Sequence, residues 1–116
     1  AAFWDGSILS LAPAYDVCPQ TRAGYEASQG MLIHGTVRRS QLAHCIDSAH
    51  HYLLHEDDAL ALVSQQIQTL REQWDDLSRE AGLSHVDKTL LWRRQFLNPL
   101  AVEGLEPALA AVLTDL

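Results

Sequence analysis

The longest regular pattern in the chain is an apolar stripe whose members recur at alternating spacings of three and four residues. It comprises Leu60, Val63, Ile67, Leu70, Trp74, Leu77 and Ala81. This period places all of them on one face of an α-helix. The acidic residues Glu56, Asp57 and Asp58 precede the stripe and suit the positive end of the helix dipole, and Gly82 supplies a stop. With a length of about three heptads, the stripe predicts a core-facing helix of a compact lobe rather than a coiled coil.

A first helix is predicted upstream of the stripe. It begins at Ser40, a residue type that suits the N-cap position. Its apolar face comprises Leu42, Ile46, Ala49 and Leu53. These spacings of four, three and four residues predict a helix of about a dozen residues.

Two further helices are predicted after the stripe. The third helix begins at Ser84, and Asp87 occupies the capping-box position three residues later. We expect this helix to continue to the residue before Pro99, because proline terminates a helix. Pro107 suits the first position of a helix, so a short last helix is predicted over residues 108–113.

The N-terminal residues predict a β-hairpin. Two short apolar runs, residues 2–4 and 7–11, are joined by Asp5-Gly6, a strong hairpin-turn signal. Asp16 follows just before a Cys-Pro pair, and we expect it to lie where the hairpin ends. A carboxylate in that position can hold a magnesium ion, as in kinase-type phosphotransfer sites. Spacing alone favours the simpler interpretation, in which Asp16 caps a turn.

The chain is predicted to form a single, mainly α domain of three parts. A hairpin over residues 1–17 is followed by a loop over residues 18–39 and a helical part over residues 40–116. Within the loop, residues 31–37 are rich in β-forming residues and contain Gly35, which predicts a short extended segment with a tight turn. A length of 116 residues with 47% hydrophobic content suffices for one core and is too short for two ordinary domains.

The charge and cysteine content exclude several classes of protein. Eight basic and fifteen acidic residues give a net charge of −7, which disfavours direct binding of nucleic acid. The two cysteines, Cys18 and Cys45, form neither a CxxC pair nor a disulfide framework, so a reducing cytoplasm is expected. No apolar run is long enough for a membrane span, and no membrane association is predicted.

Three histidines offer a separate site for a metal. His44, His51 and His55 are spaced by seven and four residues and share one helical face if the first helix extends that far. Three imidazoles on one face are able to hold zinc. The pattern lacks the glutamate of a metalloprotease helix, and a solvated polar face explains the same spacing without a metal. The polar face is the favoured interpretation.

Two segments of the chain resemble the C-terminal part of HipA-like serine/threonine protein kinases. The first is the Asp5-Gly6 turn followed by Leu11-Ala12-Pro13-Ala14-Tyr15-Asp16-Val17. The second is Leu91-Trp92-Arg93-Arg94-Gln95-Phe96-Leu97-Asn98-Pro99. The resemblance implies a helical C-lobe of a protein-kinase-like fold with an N-terminal β-hairpin.

The resemblance also implies a function for the intact protein and a role for one residue. In this family a Tyr-Asp pair replaces the metal-binding Asp-Phe-Gly element of ordinary protein kinases, and Asp16 falls on that aspartate. Asp16 is then the ligand of a Mg²⁺ ion that bridges the phosphates of ATP, and the γ-phosphate passes to Ser or Thr of a protein substrate. Toxin members of the family pair with a helix-turn-helix antitoxin of the HipB type. The loop over residues 18–39 is either the segment that approaches the substrate or a plain connector.

Several parts that phosphoryl transfer needs do not occur before the hairpin. The chain has no phosphate-binding Gly-rich loop, no strand lysine and no catalytic Asp with its companion Asn upstream of Asp16, and its single lysine is Lys88. We therefore expect the chain to be a fragment of a longer kinase, inactive by itself. The alternative is a non-catalytic helical module that docks a partner protein.

Overall fold

The helices and strands of the chain are given by a computed structural model, which describes residues 2–18, 24, 27–107 and 110–111. The described elements are, in order, β1 (Ala2–Trp4), β2 (Leu9–Leu11), α1 (Leu42–Asp47), a 3₁₀ helix (Ala49–Tyr52), α2 (Glu56–Glu80), α3 (His85–Arg94) and α4 (Pro99–Val102). The chain is thus mainly helical with a two-stranded antiparallel hairpin at its N-terminus, as predicted. No helix in the described part of the chain is both long and apolar enough to cross a bilayer.

The predicted turn at Asp5-Gly6 forms and sets the register of the hairpin. Ala2 pairs with Leu11 and Trp4 pairs with Leu9. Gly6 has a φ of 103°, a backbone conformation that glycine adopts without steric cost. The Asp5 carboxylate accepts hydrogen bonds from the backbone N–H groups of Ile8 and Ser7, each at 2.8 Å. These bonds lower the pKa of Asp5, so this aspartate holds the turn as an anion.

Helix α2 supplies the centre of the core. Its boundaries match the prediction, since Glu56 opens the helix and Gly82 follows its end with a φ of 66°. Val63 and Ile67 are buried and belong to the predicted stripe. They are packed against partly buried side chains from the other helices and their connections, namely Leu42, Ile46, Leu97, Val102 and Leu105. Helix α1 and the region of α4 therefore pack on the same face of α2.

The C-terminal half of α2 departs from the predicted stripe. Leu77 is 50% exposed, whereas its neighbour Ser78 is 3% exposed. After Gly82 the chain reverses direction, and the Leu83 N–H donates to the Ser78 carbonyl at 3.0 Å. Ser78 lies one turn after Trp74, whose ring is met by Trp92 and Phe96 of the returning chain, so this side of α2 is the covered one.

Helix α3 is joined to α2 by an aromatic cluster and an ion pair. The ring centroids of Trp92 and Phe96 each lie 5.1 Å from that of Trp74. The Lys88 Nζ donates to Asp75 Oδ1 on α2. This hydrogen bond, together with the lysine charge, lowers the pKa of Asp75.

The predicted N-cap of the third helix is confirmed. The Ser84 hydroxyl accepts a hydrogen bond from the Asp87 N–H at 3.1 Å. The same hydroxyl donates to Asp87 Oδ2 at 2.6 Å, so the two side chains satisfy each other at the start of α3.

The first predicted helix is shorter than expected. Gln41, and not Ser40, occupies the N-cap, and α1 ends at Asp47. A 3₁₀ helix follows and ends at Tyr52. Leu53 forms its C-cap, with a left-handed φ of 59°, and is 95% exposed. The prediction that Leu53 belongs to the apolar face of this helix is therefore wrong, because the backbone turns away before reaching it.

The third predicted helix also ends early. Helix α3 stops at Arg94, and Leu97 has a left-handed φ of 47°. Asn98 then caps a new helix by accepting from the Ala101 N–H at 3.0 Å, with Pro99 at its first turn. Pro99 therefore starts α4 instead of terminating α3, in agreement with the preference of proline for the first helical position.

The segment before α1 forms an irregular hairpin. Isolated bridges pair Ser28 with Arg39 and His34 with Val37, and Gly35 lies in the turn that joins the second pair. The predicted loop residues 19–23 and 25–26 lie outside the described residues, as does most of the predicted last helix over residues 108–113.

Candidate functional site

Asp16, the predicted magnesium ligand, lies five residues beyond the last residue of β2. The expectation that it closes the strand is therefore wrong, because the pairing stops at Leu11. Asp16 is exposed and occupies a bend with a left-handed φ of 56°. Aspartate tolerates this conformation better than most residues do, because its short side chain can bond locally. The position leaves the carboxylate accessible to a ligand from solvent.

The hairpin that precedes Asp16 exposes large apolar side chains on both of its faces. Phe3, Leu9 and Leu11 are all exposed. Tyr15 and Val17, which flank Asp16, are also exposed. An uncovered apolar patch of this kind is typical of an interaction surface. The region around Asp16 is therefore suited to contact with another protein segment.

The first helix does not extend far enough for the three histidines to share one face. His44 lies on α1, His51 lies on the 3₁₀ helix and His55 precedes α2 as its N-cap residue. The break after Asp47 changes the helical geometry and ends the common face. Instead, the His51 ring lies 3.9 Å from the ring of its neighbour His50, measured between centroids.

His44 has different neighbours from those that the spacing indicates. Its Nδ1 lies 3.8 Å from Asp47 Oδ2, one helical turn away. The ring of His34 approaches it from the preceding segment, with 6.2 Å between centroids. The sequence offers only a weak indication of His34, namely its place beside a turn glycine a few residues before α1. Its proximity to His44 depends on how that turn folds back.

The environment of Cys45 does not suit an activated nucleophile. Neither Cys45 nor Cys18 is in a disulfide. Partial burial by neighbouring groups raises the pKa of the Cys45 thiol and so disfavours the thiolate. A catalytic thiol requires the opposite shift in pKa.

Lys88 forms an ion pair with Asp75 on the neighbouring helix. The sequence contains no other lysine. In this structure, therefore, the lysine stabilises the contact between α2 and α3.

Comparison with family models, with curated proteins and with solved structures finds no match to this chain. Its function is therefore inferred from the residues and their geometry.

Proposed function

We propose that the chain is the C-terminal portion of a HipA-like serine/threonine protein kinase, and that Asp16 is its magnesium ligand. The proposal is supported by the Tyr15-Asp16 motif and by one structural observation: Asp16 follows an apolar hairpin whose large side chains stay exposed among the described elements. A hairpin of two strands is only marginally stable by itself in water. In the intact kinase, the remainder of the catalytic domain would pack on this hairpin and bring its phosphate-binding residues to Asp16.

The side chain of Asp16 fits the coordination chemistry of magnesium. Mg²⁺ prefers oxygen ligands and usually takes one or two carboxylates, together with waters and the phosphates of its substrate. Asp16 offers one exposed carboxylate. When bound, the ion would neutralise negative charge on the phosphates of ATP.

The isolated chain is proposed to be inactive. This is supported by Lys88, its only lysine, which is paired with Asp75. The intact protein would transfer the γ-phosphate of ATP to Ser or Thr of a protein substrate in the cytoplasm. If it is a toxin, a HipB-like antitoxin would be its partner.

The first test compares Asp16→Asn with Asp76→Asn in the intact protein, measured by transfer of radiolabelled phosphate from ATP. Asp76 is an exposed aspartate on α2 that pairs with Arg79, one turn away, at 2.9 Å. Asp16→Asn is expected to abolish transfer, because the neutral amide binds Mg²⁺ weakly. Asp76→Asn is expected to retain it, and equal activity in the two variants would remove the assignment of Asp16.

The exposed hairpin also supports a second function, a non-catalytic helical module that docks a partner protein. In that case the apolar surface around Phe3 and Leu11 is the docking face and Asp16 only shapes a turn. Calorimetric titration of the intact protein with Mg²⁺ and a non-hydrolysable ATP analogue separates the two functions. A kinase binds the analogue only with the metal, whereas a docking module does not bind it.

A further inference from the structure

Three potential metal ligands from two separate segments meet beside α1. His34, His44 and Asp47 each place one ligand atom so that all three atoms lie within 4.8 Å of one another. His44 and Asp47 lie one turn apart on α1, with 3.8 Å between Nδ1 and Oδ2. His34 belongs to the non-helical segment that precedes α1, so its approach to these two residues is a tertiary contact.

The position of His34 is fixed by the irregular hairpin that precedes α1. The Ile33 N–H donates to the Val37 carbonyl and the Val37 N–H donates to the His34 carbonyl, both at 2.8 Å. Gly35 allows this tight turn with its left-handed φ of 51°. Further along the hairpin, the Gln29 N–H donates to the Arg38 carbonyl at 2.7 Å. These bonds fix the backbone around His34 without a metal, and its ring lies 6.2 Å from that of His44 on α1, measured between centroids.

We propose that His34, His44 and Asp47 form a binding site for a zinc-type divalent cation. Two imidazoles and one carboxylate are a ligand set that zinc uses when it keeps a fourth position for water. Tetrahedral bonds of about 2.0–2.1 Å place ligand atoms about 3.3 Å apart, so the three side chains need to move inward by about 1 Å. Rotation about side-chain bonds supplies such a movement.

Burial and charge distinguish this cluster from an ordinary surface pair. A His-Asp pair one turn apart is common on exposed helices and is not by itself a site. Here the third ligand comes from another segment, and both histidines are half-buried while Asp47 is exposed. The half-buried imidazoles are held close to each other, and the exposed carboxylate leaves a path for the ion. The net charge of −7 favours the approach of a cation.

A bound metal would cross-link the hairpin over residues 27–40 to α1. Because only the folded chain brings the three ligands together, binding shifts the unfolding equilibrium toward the folded state. This site is separate from Asp16, and the proposal does not depend on the kinase assignment.

The test is a titration of the metal-free chain with Co²⁺, followed by absorbance, and with Zn²⁺, followed by calorimetry and thermal unfolding. The matched variants are His34→Ala and His44→Ala, with His51→Ala and His55→Ala as controls that remove histidines outside the cluster. We expect one equivalent of metal and a raised Tm in the unaltered chain. Loss of one ligand is expected to weaken binding about tenfold or more in His34→Ala and His44→Ala, with little change in the controls.

Asp47→Asn tests the carboxylate ligand without shortening the side chain, so that a loss of zinc binding is not due to lost packing. It keeps the shape of Asp47 but removes its charge, so it is expected to weaken zinc binding while the circular dichroism spectrum stays unchanged. Binding that is unaltered in His34→Ala, or weakened equally in His51→Ala, would overturn the proposed site. Either result would assign the metal to scattered surface histidines.

Discussion

The N-terminal hairpin and helix α2 are both rich in apolar residues, but the chain covers only one of them. Ile67 on α2 is 3% exposed, whereas Leu9 on β2 is 69% exposed. The hairpin is fixed by its own turn, through the bonds to Asp5, while α2 is fixed by side chains from distant parts of the chain. Local turn chemistry can therefore form an element without burying it, and burial requires neighbours that the hairpin lacks among the described residues.

If the core is covered and the hairpin is not, truncating a core side chain should cause the largest loss of stability. Ile67→Ala removes buried methyl groups and leaves a cavity, so the free energy of unfolding should fall by about 3 kcal/mol. Leu9→Ala in the exposed hairpin should change it by less than about 0.5 kcal/mol. Urea denaturation followed by circular dichroism measures both. A large loss in Leu9→Ala would show that the hairpin is covered in solution, for example by a second copy of the chain.

A smaller loss of stability is expected when the side chain of Ser84 or of Asp5 is removed, because each holds only its own helix start or turn. Ser84→Ala removes the acceptor for the Asp87 N–H and should lower the free energy of unfolding by about 1 kcal/mol. Asp5→Ala should destabilise only the hairpin, because no residue of the hairpin belongs to the described core cluster. Hydrogen exchange of the Trp4 and Leu9 amides, compared with urea denaturation, distinguishes local from global loss. If Asp5→Ala lowers global stability as much as Ser84→Ala does, the hairpin belongs to the same cooperative unit as the helices.

The smallest effect is expected from the ion pair between α2 and α3. Lys88 lowers the pKa of Asp75 in the folded chain, so the pair stabilises the fold fully above the ordinary aspartate pKa of about 3.9. That contribution is lost as the pH falls through the lowered pKa of the folded state. Lys88→Met should therefore be slightly less stable than the unaltered chain at pH 7, as measured by urea denaturation, and the difference should disappear in acid. A difference that persists in acid would assign the effect to packing of the lysine stem.

The features that the sequence predicts correctly are those set by contacts between near neighbours. The Asp5-Gly6 turn, the boundaries of α2 and the Ser84 cap each depend on residues within about four positions of one another. The kinase resemblance and the role of Asp16 stay predictions, because no known protein matches the chain and so none tests them. The position of Asp16 itself is predicted too close to the strand, since the alternation of apolar residues does not show where pairing stops.

The features that the sequence does not predict depend on contacts between distant residues. The spacing of apolar residues does not predict that Leu77 is exposed, and the spacing of histidines does not predict that His34 lies near His44. The sequence by itself determined a long amphipathic helix with its glycine stop, the Ser84 cap of the next helix and an N-terminal hairpin, because these follow from local backbone geometry. Only the tertiary structure decided which apolar faces are covered and which histidines meet, because a side chain is buried or brought to a ligand only by the segments that pack against it.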